Sequence, residues 1–119
     1  LIVPGTKFTA TVRKEGRGSI IDLGGDIDRE AGVDMTAAYD QVVSQGNDSE
    51  PVILNFTGVD YINSTGIAVI VTLLARARAD GRPLRAFGLS PHYEEIFQIT
   101  RLSDFMSIHH NEPEALALN

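Results

Sequence analysis

The stretch from Pro51 to Gly81 constrains this chain most: a short apolar strand, a polar turn reading Asn63-Ser64-Thr65-Gly66, and a long apolar helix. Val52, Ile53 and Leu54 form an unbroken apolar run after a proline, which suits a strand buried on both faces in the middle of a parallel sheet. Asn63 or Ser64 can cap the helix that follows. The hydroxyls of Ser64 and Thr65 fall where unpaired backbone N–H groups and the positive end of the helix dipole converge. An anion is well tolerated there, including a phosphate carried by Ser64 itself. From the residues alone Ser64 has two readings, a helix-capping hydroxyl and a modification site.

At 119 residues the chain is expected to form one domain, residues 1–119, with a single sizeable core. A net charge of −6 opposes general binding to nucleic acid or to an anionic membrane surface, so a protein or small-molecule partner is expected. The absence of cysteine rules out disulfides and thiolate metal sites and is compatible with a cytoplasmic location. No apolar run approaches the roughly 18–20 residues that span a bilayer, so direct membrane insertion is not expected. The chain opens Leu1-Ile2-Val3-Pro4 without an initiator methionine, which leaves room for a preceding targeting segment.

Phe8, Ala10 and Val12 alternate with polar residues, and Ile20, Ile21 and Leu23 follow a glycine-containing turn, so the two runs predict an antiparallel hairpin. Gly24-Gly25-Asp26-Ile27-Asp28 is expected to break the second strand and to present two carboxylates in a loop. Met35, Ala38, Tyr39, Val42 and Val43 make one stripe of an amphipathic helix that Gly46 can close. Gly58 to Ile62 is expected to connect the central strand to the Ser64 turn. On the following helix the spacing places Ile67, Ile70, Val71 and Leu74 in the core and Thr65, Val69, Thr72 and Arg76 on the opposite side. Pro83 to Phe87 predicts a strand, Ser90-Pro91 opens a helix carrying Tyr93, Ile96, Phe97 and Thr100 on one face, and a strand near 106–109 precedes a short helix over 112–118. Alternating strands and helices predict an α/β fold with a mainly parallel sheet.

Several chemistries are disfavoured. A phosphate-cradling loop needs glycines followed by Lys-Ser or Lys-Thr, and the chain has no such run. Gly24-Gly25 lacks the third glycine of a dinucleotide fingerprint. His109 and His110 point to opposite faces of a strand and cannot easily share a metal; no metal or cofactor is expected. Ser64 lacks the Gly-x-Ser-x-Gly elbow and a nearby histidine base, so the chain does not read as an enzyme.

Leu23-x-Gly25-Asp26-Ile27-Asp28, the run Val52 to Phe56, Gly58 to Ile62, and Asn63-Ser64-Thr65-Gly66-Ile67 together resemble the STAS-domain anti-sigma-factor antagonists, as do Ser90-Pro91, Phe97, Leu102 and Glu114-Ala115-Leu116. The resemblance implies a central mixed sheet of four or five strands with helices mainly on one face. It also implies a bacterial regulator that captures an anti-sigma factor with serine kinase activity and is switched off by phosphorylation. Ser64 matches the phosphorylated serine, with Thr65 as the alternative, and Asp28 matches an aspartate near it. Asn63 stands where the family usually has aspartate; it keeps the capping oxygen and removes a charge. The implied partner-binding surface comprises Asp26, Asp28, Asn63, Ser64, Thr65, Gly66, Ala68, Val69 and Thr72, and a phosphatase is a possible second partner. The rival expectations are a STAS interaction module of a lipid- or anion-transport assembly and a non-catalytic small-molecule sensor.

Overall fold

The computed structural model describes residues 6–45 and 50–117. Five strands form one sheet in sequential order: β1 (Thr9–Glu15), β2 (Gly18–Ile27), β3 (Val52–Ile62), β4 (Leu84–Phe87) and β5 (Ser107–His109). The first two are an antiparallel hairpin whose turn uses Gly16 at φ +56°, and every later neighbour is parallel. Each parallel step is bridged by a helix: α1 (Ala31–Ser44), α2 (Ser64–Ala79) and α3 (Pro91–Ile99). A five-residue α4 (Glu112–Leu116) closes the described chain.

Strand periodicity separates two cores. Ile21, Leu23, Val52, Leu54, Phe56, Leu84 and Ala86 pack with Met35, Ala38, Tyr39 and Val42 of α1, Ile70, Leu73, Leu74 and Ala77 of α2, and Phe97 of α3. On the reverse face Ile20, Ile53 and Phe87 pack under Ala115 of α4. Val52, Ile53 and Leu54 are fully buried because both layers cover β3, which is the expected central strand. The sheet with three helices on one side and one short helix on the other is the mixed α/β architecture anticipated.

Three expectations fail. Gly24-Gly25 does not break β2; the strand runs through to Ile27. Gly25 sits at φ +78°, and a Cβ there would lie 2.2 Å from the Lys7 carbonyl oxygen, so glycine lets Thr6 and Lys7 pass alongside, with Asp26 N–H donating to Thr6 O at 3.0 Å. Residues 58–62 are strand as well, because two register shifts let β3 keep pairing as far as Tyr61 with Asp26 and Ile62 with Ile27. On α2, Val71 is 46% exposed and Ile67 only half-buried, while Leu73 and Ala77 join Ile70 and Leu74 inside. The α1 stripe is as expected, with Val43 half-buried; its proposed stop, Gly46, lies outside the described residues, as does Leu118.

The reverse face carries a polar clasp. Arg13 donates to Asp22 at 2.7 Å and to Glu112 at 2.6 Å, while Asn55 Nδ2 donates to Asp22 at 2.8 Å. Arg85 donates to the carbonyls of Ala115 and Ala117 at 2.7 and 2.9 Å. Together these tie α4 to the sheet by charge where its five residues offer little apolar area. The guanidinium holds the Asp22 and Glu112 carboxyls below their ordinary range.

Candidate functional site

The extended β2/β3 pair delivers two chain reversals side by side. Ile27 ends β2 and Ile62 ends β3, and Asn63 N–H donates to Ile27 O at 3.2 Å. Asn63 is itself extended, and its Oδ1 accepts from Gly66 N–H at 2.7 Å, which makes it the N-cap of α2. The same oxygen accepts from the Thr65 hydroxyl at 2.8 Å. The cap is therefore Asn63, not Ser64.

That division of labour distinguishes the two hydroxyls. Thr65 spends its proton within the turn, whereas the exposed Ser64 hydroxyl has no hydrogen-bond partner among the described residues. The first turn of α2 carries no acidic residue of its own to face the positive end of the helix dipole. Gly66 is buried against β2: a Cβ would come within 1.9 Å of the Ile27 carbonyl oxygen. Glycine is thus the residue that lets α2 start where the strand stops. Below the turn, Tyr93 of α3 accepts from Ile62 N–H at 2.9 Å, a support that α3's face pattern did not reveal.

Asp28 follows directly on the strand end that touches Gly66, and its carboxylate accepts from Glu30 N–H at 2.9 Å, turning the chain into α1. Asp26 and Asp28 line a polar hollow with Thr6, Lys7, Glu30 and Asp34 on one flank of α1. Among the described residues no cluster of acidic groups and histidines could hold a metal ion. His109 bonds Ser107 at 2.9 Å and stands at β5, away from the turn.

Ala68 and Thr72 are exposed on α2 and Val69 is half-buried, one helical turn and more beyond Ser64. The nine residues expected at the partner surface thus fall on two contiguous segments, the β2 end and the first turns of α2. Their backbones meet at Ile27 and Gly66. Tyr61, 55% exposed and opposite Asp26 across the ladder, extends the same surface; reading 58–62 as a connector concealed it.

Residues 10–108 match the family described as "Mlab, STAS domain". Among curated proteins, anti-sigma-B factor antagonists of Listeria monocytogenes and Listeria innocua are each 38% identical over 61 residues, 51% of this chain and 54% of theirs. The chain therefore spans about half the length of the curated relatives it matches. An anti-sigma factor antagonist from Mycobacterium paratuberculosis superposes with a TM-score of 0.73 at 17% identity, covering 92% of both chains. The phosphorylated form of the Bacillus cell fate determinant SpoIIAA superposes with a TM-score of 0.66 at 24% identity, covering 91% of this chain and 96% of that one. At those identities the likeness is one of fold. With the family match extending over most of the sequence, the chain belongs to the STAS domain family.

Proposed function

We propose that this chain is an anti-sigma-factor antagonist that docks on an anti-sigma factor with serine kinase activity and is released by phosphorylation of Ser64. The observation that carries this reading is the exposed Ser64 hydroxyl, left without an intramolecular partner because Asn63 performs the capping and Thr65 is bonded to it. The kinase transfers the γ-phosphoryl group of ATP to Ser64 Oγ; ADP leaves, and the hydroxyl proton passes to a base of the kinase. The product adds about −1.5 to −2 charges at neutral pH. Because the group stands at a helix N-terminus, the fold bears it easily, whereas a docked partner meets new charge and bulk beside Asp26 and Asp28.

The partner surface in this reading comprises Asp26, Asp28, Asn63, Ser64, Thr65, Gly66, Ala68, Val69 and Thr72, and the chain acts without catalysis of its own. A phosphatase resets the switch, and the exchange takes place in the cytoplasm; no helix among the described residues is long and apolar enough to cross a membrane. Asn63 in place of the family's usual aspartate favours a second reading, an interaction module of a lipid- or anion-transport assembly that docks constitutively. Incubation with the host's kinase-type anti-sigma factor and ATP, followed by peptide mass spectrometry, separates the two. Phosphate on Ser64 supports the switch; phosphate on Thr65 alone moves the site by one residue, and none on either favours the transport module.

A further inference from the structure

The helices α1 and α2 run side by side in the same direction, with Gly32 facing Val69 and, two turns on, Asp40 and Tyr39 meeting Arg76. Between them lies an open groove of about 640 Å³, within the range of small-molecule sites. Met35 and Leu73, both buried, form its floor, and Val69 its wall, while Gly32 and Thr72 contribute too little bulk to fill it. Two cations bound it. Arg76 is committed, bonded to Asp40 at 2.6 Å and stacked 4.5 Å over the Tyr39 ring. Arg29, at the other end, makes no ion pair among the described residues.

Charge is segregated about the start of α1. The carboxylates of Asp26, Asp28, Glu30 and Asp34 lie on its other flank with Lys7 as the one cation lining that hollow, so the balance there is negative, whereas the groove side carries Arg29 and no carboxylate lining. Val69 to Arg76 spans about 10 Å of helix, long enough to lay a flexible chain along apolar side chains. We infer that the α1/α2 groove binds an acyl carboxylate, its hydrocarbon chain on Met35, Val69 and Leu73 and its head on the Arg29 guanidinium. The site goes beyond the partner switch and does not depend on it, since binding requires only the chain itself.

The test is calorimetric titration of the chain alone with decanoate, decanol and acetate, together with methyl NMR of Met35, Val69 and Leu73. Decanoate is expected to bind and to shift these methyl signals; acetate, lacking a chain, is expected to do neither. Arg29→Gln should weaken decanoate by about fivefold and leave decanol unchanged. Thr72→Trp, at an exposed position, should fill the groove and abolish binding of both while the melting temperature stays near that of the parent. Absence of decanoate binding, equal affinity for decanol and decanoate, or binding that survives Thr72→Trp in a folded protein would overturn the assignment.

Discussion

Gly66 at the start of α2 lies so close to Ile27 at the end of β2 that a Cβ would come within 1.9 Å of the Ile27 carbonyl oxygen. The obstacle is backbone, which cannot rotate aside. Gly66→Ala is therefore expected to destabilise the fold by about 2 kcal/mol or more through overpacking, measured by urea unfolding. Gly81→Ala offers a comparison, since Gly81 has open space and only a φ of +72° to forfeit; it should cost about 1 kcal/mol. Equal losses would mean that the contact with Ile27 is slack.

The same contact sets the rotation of α2. Leu74→Ala should cost about 2–5 kcal/mol, and Leu73→Ala a comparable amount, whereas Val71→Ala and Thr72→Ala should stay within about 0.5 kcal/mol. Denaturant midpoints across the four variants decide it. A large loss at Val71 would restore the orientation drawn from periodicity.

Why periodicity misplaced Val71 is physical. From Ile67 to Leu74 only Thr72 is polar, so the apolar pattern barely distinguishes one face of the helix from another; the docking of Gly66 does so instead. The central strand was legible because Val52 to Leu54 is apolar at every position and must be covered twice. Gly24-Gly25 read as a breaker, since nothing local discloses that the backbone of Thr6 and Lys7 passes close enough to Gly25 to require glycine. At the candidate site, the turn and its capping chemistry could be read directly from Asn63 to Gly66. The exposure of Tyr61 and the support from Tyr93 depend on tertiary contacts that no local pattern encodes.

Asn63 works through its side-chain oxygen, which aspartate also supplies. Asn63→Asp should leave stability within about 1 kcal/mol, and Asn63→Ala should lose about 0.5–2 kcal/mol with the cap. Thermal melts test both. A loss of several kcal/mol in the aspartate variant would show that the amide N–H₂ group makes an essential bond.

Stability should fall at both pH extremes. Arg13 holds the folded-state values of Asp22 and Glu112 below the ordinary 3.8 and 4.5, so their contribution is complete above those values and is lost as acid carries the pH through the lower folded-state ones. Burial, then the bond from its hydroxyl to Asp80, pushes Tyr39 up from 10.0 to about 12, so its contribution is complete below 10 and lost as the pH rises toward 12. Arg13→Gln should flatten the acid limb of melting temperature against pH and Tyr39→Phe the alkaline limb. An unchanged acid limb in Arg13→Gln would remove the clasp from the account.

The most direct test of the proposed switch is titration of a kinase-type anti-sigma factor with the unmodified chain, Ser64→Ala, Ser64→Glu and the Ser64-phosphorylated form. All four should melt at similar temperatures. Ser64→Ala should bind like the parent, Ser64→Glu should bind more weakly by about 2 kcal/mol, and the doubly charged phosphoserine more weakly still, because each buries charge without a partner. Equal affinity across the four forms would contradict the account.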